Sequence, residues 1–296
     1  MRAAVVTEFG GPEAVRIVDA EVPEPAARQV RIKVAAAALN PVDAGVRAGA
    51  FGGAGKQIGL GWDVAGTVDA TGVATAWEAG DEVVALDYGM VRPLAAHAEY
   101  VVVDTAAVAK APATVDAVHA ATLPLNALTA AQALDLLRPA PGQSLLVTGA
   151  AGAVGGFAVQ LAAHRGVSVT ALARESDAEL MRSLGAAHLV SGAVDPGGFD
   201  AVLDAAVLGE TVLEWVRDGG AYVGVIPQAH PAPVRGARTA AVEVSADGAR
   251  LAQLAGLVDR GVLTLRVAET YALEDAAEAH ARLAQGGVRG RLVLIP

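Results

Sequence analysis

Polar and apolar positions alternate in short runs over the first part of the chain. The clearest is Val30-Arg31-Ile32-Lys33-Val34, in which one side of a strand faces inward and the other faces water. Similar runs predict strands over Ala3 to Thr7, Val15 to Asp19, Gln29 to Ala38, Asp63 to Ala70, Glu82 to Leu86 and Ala98 to Val103. Gly-Pro, Pro-Glu-Pro, Gly-Gly and Ala-Gly-Asp turns separate them. Short strands at this spacing imply a compact barrel or sandwich. A short helix is expected within Leu39 to Gly49, with Pro41 in its first turn, where a missing N–H costs nothing.

The rhythm changes near Asp116. Val115 to Leu137 is apolar at helical spacing, interrupted by Pro124. Strands and helices then alternate. Strands are expected at Ser144 to Thr148, Val167 to Leu172, His188 to Val190, Phe199 to Asp204, Gly220 to Ile226 and Ala240 to Ser245. Helices are expected after Gly155, at Ser176 to Leu184 with Ser176 as N-cap and Glu179 completing a capping box, at Gly209 to Arg217, and at Asp247 to Arg260. That order predicts an α/β, Rossmann-type, doubly wound parallel sheet. After Gly261 come a strand at Leu263 to Val267, a helix at Leu273 to Gln285 and a last strand at Gly290 to Ile295. This tail is too short to stand alone. The expected organisation is therefore a discontinuous β-rich domain (1–115 and 262–296) around a dinucleotide-binding domain (116–261).

Composition narrows the function classes. The 296 residues fit about two domains at ~100–200 residues each. A formal charge of −10 repels phosphate backbones and anionic lipid, so neither nucleic acid nor a membrane surface is an expected partner. The expected partner is a small-molecule substrate. There is no cysteine, which removes disulfides, thiolate metal sites and cysteine nucleophiles. The first residues lack a basic stretch followed by a long apolar one, so a cytoplasmic protein is expected.

The stretch from Ser144 to Arg165 carries the chemistry. Its strand leads through Gly149-Ala150-Ala151-Gly152-Ala153-Val154-Gly155 into a helix. A helix N-terminus presents unpaired N–H groups and a positive dipole end to a pyrophosphate. Gly152 lets the backbone approach the phosphates, and Gly155 lets helix and strand pack closely. The expected cradle is the turn backbone at Gly149, Ala150, Gly152, Ala153 and Val154. Ser144 to Ala163 is also uncharged and long enough to span a bilayer, but its clustered glycines and β-like start oppose one continuous membrane helix. The second strand ends Leu172-Ala173-Arg174, where an NAD-preferring fold has an acid for the ribose hydroxyls. Arg174, with Ser176 beside it, suits a 2′-phosphate instead. The expected cofactor is NADPH; the bland alternative is a solvated arginine at a helix start, next to Glu175 and Asp177.

Six blocks in order resemble the zinc-free quinone oxidoreductase branch of the medium-chain dehydrogenase/reductase superfamily, nearly end to end. They are Ala38-Leu39-Asn40-Pro41-Val42-Asp43, Gly61-Trp62-Asp63-Val64-Ala65-Gly66, Gly80-Asp81-Glu82-Val83-Val84, the run Leu123 to Ala130, the turn Gly149 to Gly155, and Gly290-Arg291-Leu292-Val293-Leu294. The branch fingerprint A-x-G-G-V-G stands here as Ala150 to Gly155, with Ala153 in place of a glycine. The resemblance implies a GroES-like β-rich domain beside the Rossmann domain and a homodimer joined at sheet edges, for which Thr239 to Ser245 is the expected edge. It puts Asn40, Trp62 and Asn126 where zinc-dependent relatives have metal ligands, a set unsuited to zinc. No metal is expected. The implied activity is hydride transfer from NADPH to quinones or α,β-unsaturated carbonyl compounds. An enoyl or carbonyl reductase of a polyketide-type pathway is one alternative, and a non-catalytic NADPH-binding protein is another. Asn40 is expected near the nicotinamide, as a donor to substrate oxygen or as a turn residue before Pro41. Thr129 is expected on the nicotinamide or ribose side, Val225 and Ile226 at the nicotinamide amide, Arg289 as a further cofactor contact, and Tyr88 as a proton donor or a plain surface tyrosine.

Overall fold

A computed structural model describes residues 1–296 apart from the side chain of Gln228. The chain forms two units, Met1–Leu125 with Ser245–Arg260 and Leu265–Pro296, and Asn126–Val244 with Gly261–Thr264.

The first unit opens with β1 (Arg2–Val6), β2 (Arg16–Asp19), β3 (Gln29–Leu39), helix α1 (Pro41–Arg47), β4 (Ile58–Gly59), β5 (Asp63–Thr71), β6 (Glu82–Leu86), β7 (Tyr100–Asp104), β8 (Val108–Lys110) and helix α2 (Ala117–Ala120). Helix α3 (Pro124–Leu137) then starts on Pro124, the residue that interrupts the apolar run. The alternation read in β3 is real: Val30, Ile32 and Val34 are buried in one cluster with Val64, Val68, Val83 and Val101. Two short strands, β4 and β8, carry too few residues for a period to show.

The second unit holds β9 (Ser144–Thr148), α4 (Ala153–His164), β10 (Ser168–Leu172), α5 (Ala178–Ser183), β11 (His188–Val190), β12 (Phe199–Asp204), β13 (Val216–Gly224) and β14 (Arg238–Ala241). Its sheet has the order β11-β10-β9-β12-β13-β14, every pairing parallel. In the sheet's own numbering this is 3-2-1-4-5-6, the doubly wound dinucleotide-binding order. The chain closes with α6 (Gly248–Asp259), β15 (Val267–Ala272), α7 (Ala276–Ala284) and β16 (Arg291–Ile295). β15 and β16 join β3 in a seven-stranded sheet of the first unit, so that unit is discontinuous.

Several boundaries depart from the sequence expectation. α6 belongs to the β-rich unit because Gly248 lets it lie directly on β8; a Cβ there would stand 2.4 Å from the Val108 carbonyl oxygen. The first crossing between units falls after Leu125, not after residue 115. Ser176 is not a helix cap. It lies inside a 3-10 turn, Glu175–Asp177, and α5 begins beyond it with Asp177 at its N-cap. Residues 209–215 coil as a 3-10 helix, because β13 starts at Val216 and the larger rise of that coil spans the gap in fewer residues. The sixth strand is four residues long and starts at Arg238, after the left-handed Gly236. Leu263 and Leu265 are buried without forming a strand; the strand is β15, with Val267, Glu269 and Tyr271 turned inward at period two. The uncharged stretch considered as a membrane span divides into β9, a turn and α4. Among the described residues no helix is long and apolar enough to cross a membrane.

Candidate functional site

The C-terminal ends of the parallel strands form one line. Leu172, Thr148, Asp204, Gly224 and Ala241 are in register across β10, β9, β12, β13 and β14. Everything just beyond them shares that edge: Arg174, the turn from Gly149, the loop from Ala205, and Val225 with Ile226. β9 is the switch point, since the chain goes to β10 on one side and β12 lies on the other. A crevice for a ligand opens there in folds of this order.

The glycine turn has the geometry that its sequence implies. Gly149 is left-handed (φ 57°), a conformation that strains residues with a Cβ. Gly152 is the exposed N-cap of α4, and no side chain caps it. The helix start therefore places its positive dipole end at this sheet edge. Gly155 is required by contact: a Cβ would meet the Gly149 carbonyl oxygen at 2.3 Å and Ala150 Cα at 2.8 Å. Ala150 and Ala151 are buried beneath the turn, while Ala153 and Val154 are half-buried in the first turn of α4. Arg174 is exposed and forms no ion pair among the described residues; Ser176 is exposed beside it, and Glu175 instead accepts a hydrogen bond from Ser191. This cradle fits a dinucleotide: a close turn with no room for a Cβ at Gly155, a helix that starts on a glycine, and a cation two residues past β10. Val225 is half-buried and Ile226 exposed beyond β13. Thr129 is buried on α3 and is not without a partner.

In the first unit the structure gathers a buried polar cluster around Asn40. The side chain of Asn40 donates to the Asp63 carboxylate (2.6 Å) and to the Ala38 carbonyl (3.3 Å), and its backbone N–H donates to Asp43 (2.7 Å). Asp43 also accepts from the Gly61 N–H (3.0 Å), and Asp63 accepts from the Leu125 N–H (2.6 Å). Arg291 donates to the Leu39 carbonyl and supplies the nearby positive charge. Burial pushes the Asp43 carboxyl up, against the opposing pull of His97, two backbone N–H groups and Arg291. Burial pushes Asp63 up to about 7, against the Leu125 N–H, Asn40 and Arg291. Asn40 is wholly buried, with its side-chain NH2 turned to Asp63 and Ala38. Tyr88 is 37% exposed and meets buried Trp62 edge-on, ring centroids 5.1 Å apart. Arg289 is half-buried in the loop before β16 and is not without a partner.

Two family models match in chain order. An alcohol dehydrogenase GroES-like domain covers residues 26–113, and a zinc-binding dehydrogenase domain covers residues 184–294. Along the whole chain the protein is 30% identical to a quinone oxidoreductase of Mus musculus, over 332 residues and 98% of that protein. The chain belongs to the quinone oxidoreductase branch of the medium-chain dehydrogenase/reductase superfamily. Like other members of that branch it is an oxidoreductase. It is 36% identical over 240 residues to an NADPH-dependent alkenal/one oxidoreductase of Arabidopsis thaliana, an alignment that takes in 76% of this chain and 62% of the plant protein. The solved quinone oxidoreductase of Coxiella burnetii superposes with a TM-score of 0.88 at 28% identity, covering 100% of this chain and 99% of the other.

The zinc named in the second family description does not fit the residues present. Among the described residues no group of three His, Cys, Asp or Glu side chains could hold a metal ion. Asn40 spends its amide hydrogens on Asp63 and Ala38, and Trp62 offers no ligand atom.

Sequence reasoning missed Asp63 and Arg291. Asp63 and Arg291 lie within blocks that carry the family resemblance, yet a lone acid or arginine in an apolar run has no pattern of its own. Only the fold brings residues 63 and 291 together.

Proposed function

We propose that this oxidoreductase binds NADPH on the glycine turn and reduces quinones or alkenes conjugated to a carbonyl, without a metal. The observation that carries the cofactor half is the exposed, ion-pair-free Arg174 at the tip of β10, on the same sheet edge as the Gly152–Gly155 cradle. A guanidinium there recognises a 2′-phosphate by charge-assisted hydrogen bonds, whereas an acid would repel it. The name of the plant relative, which specifies NADPH and alkenals or alkenones, supports the same reading, as do the quinone oxidoreductase relatives.

NADPH, when bound, supplies the hydride. The protein binds, orients and excludes water. The N–H groups at the start of α4 and the backbone of Gly149, Ala150, Gly152, Ala153 and Val154 hold the pyrophosphate. Arg174 and Ser176 hold the adenosine end. Val225 and Ile226 offer backbone groups to the carboxamide, and Thr129 and Arg289 are further cofactor contacts. With no Lewis acid to polarise an isolated carbonyl, the substrate must already be electron-poor, which favours quinones and enones. Asp63 holds Asn40 in place, while Tyr88 or water supplies the proton that the substrate anion takes up after hydride addition.

The homodimer belongs to the same proposal. Among the described residues β14 pairs only with β13, so its other edge is open to a second copy, and light scattering at micromolar concentration would reveal a monomer if it is not used. The test of function is NADPH oxidation with a panel of quinones, alkenones and aldehydes. Tight NADPH binding without turnover of any of them would leave a non-catalytic binding protein.

A further inference from the structure

The first unit holds a group of buried polar atoms that hydride transfer does not use. Arg47 ends α1, His280 lies within α7, and His97 lies between β6 and β7. All three border one apolar cluster. Val46 precedes Arg47, Ala279 precedes His280, and Leu60, whose carbonyl accepts the His97 N–H at 2.8 Å, belongs to the same cluster. Both helices also pack on the 3-10 turn Pro12–Ala14. Arg47 is 8% exposed, His280 1% and His97 0%. Yet Nε and Nη1 of Arg47, both ring nitrogens of His280 and Nδ1 of His97 have no hydrogen-bond partner among the described residues.

The group has donors to spare and no negative charge of its own. A guanidinium only donates, and it stays charged in proteins. Burial pulls Arg47 down from its usual pKa, with the charge of Glu13 opposing. Glu13 is exposed, however, and its carboxylate accepts the Gly11 N–H at 3.0 Å. Asp43, whose charge reaches His97 and Arg291, is committed as well: its two oxygens accept the Asn40 and Gly61 N–H groups. His280 is lowered to about 3 by burial, His97 and Arg47, so at neutral pH its ring is uncharged and has one N–H to donate. A buried cation is costly unless it is both paired and hydrogen-bonded. Water would satisfy these donors and leave the charge; a small anion would do both, and one guanidinium calls for one negative charge.

We propose that the Nε–H and Nη1–H of Arg47, with a ring N–H of His280, bind a small monovalent anion of halide size between α1 and α7. The ion neutralises the guanidinium and ties α7, which comes from the end of the chain, to a helix from its beginning. The site belongs wholly to the first unit, and it stands independently of the dinucleotide reading.

Bromide probes the site in two ways. In crystals of the full-length protein soaked in sodium bromide, anomalous scattering is expected to place an ion within hydrogen-bond reach of Arg47 and His280. In solution, melting temperatures are compared in sodium bromide and in sodium gluconate, a bulky anion, at equal ionic strength. The wild type is expected to melt higher in bromide; with a dissociation constant of ~10 mM, about 200 mM bromide moves the folding equilibrium about 20-fold. Arg47→Met keeps an apolar stem and removes the charge, and it is expected to lose the bromide-dependent difference whatever its own stability. His280→Gln retains an N–H donor and is expected to keep part of that difference, and His280→Leu to keep less. A general salt effect on the protein surface would persist in Arg47→Met. Ordered water on Arg47 with bromide bound only at the surface, an adventitious ion only, would overturn the inference, as would a bromide effect that Arg47→Met retains in full. If Arg47→Met fails to fold, the presence or absence of the ion in the wild-type crystal decides.

Discussion

Replacing Asp63 with asparagine tests the buried cluster quantitatively. The carboxyl is wholly buried and is pushed up to about 7, against an ordinary value of 3.8. Burial disfavours the charged form of the folded protein, so between these two values the native state holds more protons than the unfolded state. Stability therefore falls as pH rises through that window. Moving a carboxyl titration by one pH unit is worth about 1.4 kcal/mol, so ionisation of this group withdraws on the order of 4 kcal/mol between about pH 4 and 7. Asparagine in its place would keep the shape and cannot ionise. Its oxygen would still accept the Leu125 N–H, but its NH2 would face the amide of Asn40 and lose that hydrogen bond. This loss shifts the variant by an amount that depends little on pH. The decisive quantity is the change with pH of the difference between variant and wild type. Urea unfolding at several pH values, followed by tryptophan fluorescence, measures it; Trp62 and Trp77 lie in the same unit as Asp63. The expected result is that Asp63→Asn gains on the wild type by about 1.4 kcal/mol per pH unit between about pH 4 and 7 and levels off above it. Parallel stability curves over the whole range would refute the reasoning.

Three further outcomes follow from the same geometry. Gly155→Ala forces a Cβ into the Gly149 carbonyl; unfolding experiments should show a loss of about 1–3 kcal/mol or more, with weaker dinucleotide binding. Arg174→Ala should weaken NADPH roughly 10- to 100-fold in titrations and leave NADH unchanged; an unaltered NADPH affinity would remove the 2′-phosphate assignment. His280 is buried, its ring nitrogens lack partners, and burial beside His97 and Arg47 lowers it to about 3. A depressed folded value means stability is present above the ordinary 6.5 and is lost as pH falls towards 3. His280→Phe should flatten the acid limb of the stability profile, which acid titration by circular dichroism would show.

What the sequence revealed depended on how local the cause was. Gly152 and Gly155 were legible because a phosphate turn needs them at fixed spacing, and the close approach of Gly155 to Gly149 is that need made visible. Pro41 marked a helix start for an equally local reason, whereas Pro124, read as an interruption, is the first residue of α3. The Ser176 capping box satisfied its pattern and still failed, because the chain leaving β10 takes a 3-10 turn first and delivers Asp177 to the helix start. α6 reads as part of an alternating α/β run, and only its contact with β8 assigns it to the other unit. The Asp63 cluster was invisible for a different cause. Its partners are 23 to 62 residues away, and hydrogen bonds between such distant positions leave no periodicity in a single chain. The role of Asn40 could be framed as either a substrate donor or a turn residue, but its partner Asp63 had to be seen before the amide could be traced.

The steady-state rate of NADPH oxidation by the purified, chelator-treated protein, with a quinone and with an alkenone, decides most directly whether this is a metal-free NADPH reductase. Saturable turnover of at least one of them, with a clear preference for NADPH over NADH, is the predicted result. Tight binding of NADPH without oxidation by either substrate, or turnover that appears only when zinc is restored, would contradict it.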